Sequence, residues 1–164
     1  MRDNATSLFT VSLMGHSAPP RPTGDPQWAQ YALPGTPAHP RAYDVRADTV
    51  VDCVTGLEWE LRIDAMASGL RTRDASAAYC NTLILGGAED WRVPSTIELM
   101  TLVDYDVAPP GPTIAAAFPG TPAELFWTSS PVSASIKSGW YVDFGSGDAA
   151  PLDLVNRARA RCVR

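Results

Sequence analysis

Hydrophobic and polar positions alternate most regularly over Thr55-Gly56-Leu57-Glu58-Trp59-Glu60-Leu61. Leu57, Trp59 and Leu61 fall on one side and Glu58 and Glu60 on the other, the period of a half-buried strand, with Thr49-Val50-Val51-Asp52 leading into it. The period changes over 71–85. There Thr72 stands as a helix cap, Ala75, Ala78, Tyr79 and Leu83 recur as an inner face, and Gly86-Gly87 ends the run. A second helix is predicted over 96–103. Ser95 and Glu98 have capping-box spacing, in which each side chain satisfies a backbone N–H at the helix start, and Pro94 fixes how the chain arrives there. Leu99, Leu102 and Val103 then form an apolar stripe. Pro109-Pro110-Gly111-Pro112 opens a long irregular loop that runs to about Leu125. Phe126-Trp127-Thr128-Ser129-Ser130 and Trp140-Tyr141-Val142-Asp143-Phe144 read as strands, the second with Trp140, Val142 and Phe144 inward and Gly145-Ser146-Gly147-Asp148 as the turn after it. Along the closing residues 156–164, an extended strand puts Ala158, Ala160 and Cys162 on one face and Arg157, Arg159 and Arg161 on the other. The sum is an α+β chain, two helices packed on a mainly antiparallel twisted sheet with a long loop region.

The first quarter has no such period. Residues 1–21 read as a flexible leader, and 22–44 as a proline-rich arm, with prolines at 22, 26, 34, 37 and 40. That density disfavours helix and central strand. Trp28, Tyr31 and Leu33, interleaved with the prolines, predict that the arm packs on a domain spanning 45–164.

Composition narrows the chemistry. At 164 residues and 45% hydrophobic, the chain is long enough for one domain with a real core, and no run reaches the roughly 18 apolar residues of a membrane helix. A net charge of −5 argues against nucleic-acid binding. No apolar stretch follows Met1-Arg2-Asp3-Asn4, so no export signal is visible. The only histidines are His16 and His39, so 41–164 contains neither a Ser-His-Asp nor a Cys-His centre nor a histidine-ligated metal. Cys53, Cys80 and Cys162 include no C-x-x-C pair of a structural zinc site.

Eight short motifs occur in a familiar order: T-G-L-E-W at 55–59, A-A-Y-C at 77–80, L-G-G at 85–87, D-W-R-V-P-S-T-I-E-L at 90–99, L-V-D-Y at 102–105, F-P at 118–119, W-T-S-S at 127–130 and R-C-V-R at 161–164. Together they resemble the bacterial family named for the C-terminal domain of the Legionella collagen-like adhesin, over roughly 45–164. Within the motifs, Trp59, Trp91, Arg92, Pro94, Ser95 and Glu98 read as structural. The resemblance implies a C-type-lectin-like fold in which first and last strands pair and the long loop region carries a ligand site. It implies export to the periplasm, cell surface or medium, and a role in adhesion or ligand binding. It also implies a disulfide from the first helix to the closing strand, here Cys80 to Cys162. Such a bridge closes about 82 residues, worth roughly 4–5 kcal/mol in the chain-entropy model. Cys53 is left over, free or paired to another chain, so an oligomer is one outcome.

Candidate ligand-binding residues are few. Of the tryptophans at 59, 91, 127 and 140, at least three are expected in the core, which leaves Trp28 as the better exposed platform. Asp104 and Asp106 could supply calcium oxygens, but only two or three are in view where calcium takes about six to eight. Solvated loop carboxylates, without a cofactor, are the expectation. Arg157, Arg159 and Arg161 form a basic stripe able to grip sulfate or carboxylate groups on polysaccharide, unless they pair with Glu58 and Glu60. Glu58, Glu60, Asp90 and Glu98 show no spacing that sets two carboxylates across a cleft, so no enzyme is expected. The function read from these features is a surface module recognising carbohydrate or a protein partner. A structural or assembly domain is the alternative, and a hydrolase the weaker one.

Overall fold

The structure, a computed structural model, describes residues 41–63, 69–107 and 111–164. The expected leader, Trp28 and most of the proline-rich arm lie outside these residues. Two three-stranded antiparallel sheets and two short helices make up the described residues, an α+β arrangement. The first sheet has β1 (Tyr43–Val45), β2 (Thr49–Asp52) and β3 (Glu58–Glu60) in that order. The second has β4 (Leu125–Val132), β5 (Ser135–Asp143) and β6 (Asp148–Asp153). Between them come α1 (Arg73–Asn81) and α2 (Thr96–Met100).

Two sheets stand where the pattern predicts one, and the closing residues join them. Val163 bridges Trp59 on β3 and also Arg92, while Ala158 bridges Arg71 and Arg159 runs parallel to Phe126 on β4. Because this segment hydrogen-bonds on both sides, its residues 158–163 are all buried, and the predicted division into an apolar and a basic face is lost. β1 and β6 are the strands that the pattern does not predict; β1 begins at Tyr43, inside the stretch read as the proline-rich arm. Pro151 and the alanines of β6 give it a poor strand signature, and Pro151 is tolerated because β6 is an edge. Pro131 sits likewise on edge strand β4.

The helices are shorter than predicted. Thr72 caps α1 as expected, accepting from the N–H of Ala75, but the helix stops at Asn81. There the Thr82 hydroxyl donates to the carbonyls of Ala78 and Tyr79. Gly86 and Gly87, both with positive φ, instead form the two central residues of a tight turn closed by mutual Leu85–Ala88 hydrogen bonds. The buried face of α1 is Ser76 and Cys80, with Ala75 and Ala78 exposed. The Cys80–Cys162 disulfide, Cα atoms 5.5 Å apart, sets that rotation.

α2 carries the complete capping box between Ser95 and Glu98. Beyond Met100 the backbone tightens into i to i+3 hydrogen bonds at Thr101, Leu102 and Val103. Leu102 and Val103 thereby join Leu99 in full burial, as the stripe predicts. Glu98 also takes both terminal nitrogens of Arg92, at 2.7 and 2.8 Å. Arg92, together with the Ser95 N–H, holds the Glu98 carboxyl down to about 2. A folded value below the unfolded one stabilises above the unfolded value and loses that contribution as pH falls toward 2. Glu98→Gln is therefore expected to cost stability at pH 7 and to narrow its gap from the parent between about pH 4.5 and 2. Urea unfolding at pH 7 and pH 3 checks this, and an equal gap at both would refute it.

The main core gathers Val50, Trp59, Leu99, Phe118, Phe126, Val142 and Phe144 between the sheets and α2. A second cluster packs Trp91 and Val93 around the disulfide. Trp59, Trp91 and Trp127 are buried as expected, and Trp140 is half-buried.

Candidate functional site

An open cleft lies where β4 begins. Its volume is about 260 Å³, and Leu70, Ala123, Glu124, Leu125, Asp143, Arg157 and Ala158 line it. Three backbones lie side by side there. Leu125 pairs with Asp143 of β5 on one side, and the Leu125 carbonyl accepts from the N–H of Arg159 on the other. Leu70, Ala123, Leu125 and Ala158 supply the apolar part of the lining, and the charged groups complete it.

Each charged group has a distinct state. Glu124 Oε2 accepts from Nε of Arg159 at 2.7 Å, and the Arg159 side chain is almost wholly buried. Asp143 Oδ1 accepts from the N–H of Gly145 at 2.7 Å and Oδ2 from the Ser146 hydroxyl at 3.1 Å. The turn after β5 therefore fixes the carboxylate in orientation. Arg157 is exposed, and among the described residues its guanidinium makes no ion pair or hydrogen bond.

The three arginines of the expected stripe thus separate. Arg157 reaches the cleft, Arg159 underpins it through Glu124, and Arg161 is fully buried elsewhere. The correction for Arg159 and Arg161 as surface groups follows from the two-sided hydrogen bonding of the closing segment. Arg161 donates to the carbonyls of Glu60 and Leu61 and to the Thr121 hydroxyl, and its guanidinium lies over the Phe118 ring. Burial pushes it down to about 10, while the Glu60 carboxylate opposes that fall. Glu60 itself is only 3% exposed, contrary to the alternation in the sequence. It accepts from the Tyr79 hydroxyl and the Cys162 N–H, and burial raises its proton affinity. Glu58 pairs instead with Arg164 at 2.8 Å and Arg46 at 3.3 Å.

Asp104 and Asp106 are not brought to the cleft. Asp104 Oδ1 accepts from the N–H of Asp106 in a local turn, and Asp106 is exposed. Among the described residues no three His, Cys, Asp or Glu side chains gather closely enough to hold a metal ion. No helix among them is long and apolar enough to cross a membrane. Cys53 is exposed and free.

Sequence reading missed Glu124 and Asp143. The outward position of Asp143 between the inward Val142 and Phe144 was a usable signal, and Gly145-Ser146 after it was another. Nothing local marks Glu124, which the parallel bridge of Phe126 to Arg159 brings beside the closing segment. The model of one protein family, the Lcl C-terminal domain, matches residues 48–164. No curated protein matches the chain.

Proposed function

The chain belongs to the Lcl C-terminal domain family, and on that premise we propose a non-enzymatic, extracytoplasmic ligand-binding and adhesion module of C-type-lectin-like fold that recognises carbohydrate. The cleft at the start of β4 is the observation that carries this reading. Apolar side chains and a few convergent polar groups are the mixture that small-ligand sites use. Its 260 Å³ lies just under the roughly 300 Å³ at which such sites begin, a size for one sugar unit or head group. The disulfide supports a location outside the reducing cytoplasm. Glu124 and Asp143 are engaged with Arg159 and with the Gly145-Ser146 turn, which favours binding over acid–base chemistry. A glycan array read with the parent chain and with Arg157→Ala tests the proposal. Binding to a defined glycan class, weakened at least tenfold by the substitution, is expected; silence across the array overturns carbohydrate as the ligand.

A second reading, an assembly domain that docks on another surface protein, draws on a different feature. Ile136 and Val155 are 96% and 81% exposed. Both lie at the same end of the second sheet, where the Leu154 N–H donates to the Lys137 carbonyl. Under that reading Ile136→Asp abolishes partner retention and leaves the array unchanged.

A further inference from the structure

The charges around the cleft sum to zero, but only one opposite pair is joined, and the other two have a definite arrangement. Glu124 and Arg159 neutralise one another at 2.7 Å. Asp143 and Arg157 remain, one negative and one positive, with no ion pair joining them among the described residues. They stand on backbones two strands apart, because Leu125 lies between Asp143 on β5 and the closing segment. Two strand spacings are roughly 9.5 Å, and the space between is floored by Leu125 and Ala158. A ligand with one charge would satisfy one wall and leave the other unanswered. A ligand with both would answer each wall and lay its linking carbons on the apolar floor.

From this geometry we propose that the cleft takes an amino-carboxylate head group. Its carboxylate sits on the Arg157 guanidinium, its ammonium on the Asp143 carboxylate, and a short aliphatic link separates them. The head group can be a free small molecule or one displayed on a surface polymer, since the recognising chemistry is shared. The inference rests on the reading of the cleft as a ligand site, and it names the ligand chemistry that site selects. Arg157 binds the carboxylate in a forked, charge-assisted pair. Asp143 is pre-oriented by Gly145 and Ser146, so little is lost in fixing it.

Titration of the full chain followed by amide NMR tests this with three probes: 6-aminohexanoate, hexanoate and hexylamine. Shorter ω-amino acids, from glycine to 4-aminobutyrate, then measure the span. The zwitterion is expected to shift the amides of Leu125, Asp143 and Arg157 and to bind at least tenfold more tightly than either singly charged analogue. Arg157→Gln is expected to bring its affinity down to that of hexylamine. Equal affinities for the three probes, shifts away from the cleft, or no shifts at all would each overturn the proposal. The comparison of probes on the parent chain decides the matter even if the variant folds poorly. A silent glycan array together with zwitterion binding at the cleft would discard carbohydrate and keep this assignment. Glycan binding with no preference for the zwitterion would do the reverse.

Discussion

Replacing Cys80 and Cys162 together by alanine is expected to lower the unfolding free energy by about 4–5 kcal/mol. The bridge closes a loop of 82 residues, and the unconstrained unfolded chain recovers the corresponding entropy. A domain of this length holds only about 6–18 kcal/mol in total, so the loss is a large share of it. The consequence is also local, because Cys162 sits in the segment that sews the sheets together. The Val163 N–H and carbonyl both bond Arg92, the Cys162 carbonyl accepts from Glu60, and Arg159 bonds Leu125 and Trp127. Without the tether from α1, these amides should lose hydrogen-exchange protection before those of β4 and β5 do. Urea unfolding gives the global number and native-state exchange gives the order. A loss under 1 kcal/mol, with protection of Arg92 and Val163 unchanged, would mean that the closing segment is held by its hydrogen bonds alone.

What the chain reveals in advance divides along a physical line. Capping at Thr72 and Ser95, the stripe of Leu99, Leu102 and Val103, and the inward Val142 and Phe144 were all legible, because each depends on residues a few positions apart. The misreadings lie where distant segments decide. Ala75 and Ala78 have the right spacing for an inner face, yet the bridge to Cys162 turns Ser76 and Cys80 inward instead. Glu60 alternates as a solvent-facing residue, but the closing segment covers that side of β3 as well. The same covering buries Arg159 and Arg161 and leaves Arg157 alone at the surface. The cleft shares this property. Its charged walls come from residues 124, 143 and 157, which only the pairing of β4 with both neighbours brings together. The family motifs were legible because they encode the corner at 90–99 and the closing R-C-V-R, which are parts of the scaffold and not of the cleft.

Arg161→Met is expected to cost about 3–5 kcal/mol, because each buried acceptor left without its donor costs roughly 1–3 kcal/mol. The substitution preserves much of the volume against Phe118 but removes the donors to the Glu60 and Leu61 carbonyls and to Thr121. It also leaves the Glu60 carboxylate, 3% exposed, without the fully buried Arg161 charge that favours its ionised form. The pH dependence gives the sharper test. Burial already raises Glu60 above its ordinary 4.5, and the Arg161 charge opposes that rise. A carboxyl whose folded value is raised contributes most below its unfolded value and loses that contribution as pH climbs through the folded one. Removing Arg161 lifts the folded value further, so the deficit of Arg161→Met should widen as pH climbs past the parent's own raised Glu60 value, above 4.5. Glu60→Gln has no proton to lose, and its amide oxygen can still accept from Tyr79 or the Cys162 N–H. The double variant Glu60→Gln/Arg161→Met should therefore recover part of the loss at pH 7 and show no widening. Urea unfolding of the four proteins between pH 4 and 8 closes the cycle. An Arg161→Met deficit that is flat across this range would show that the lost carbonyl hydrogen bonds, and not the stranded Glu60 charge, account for the cost.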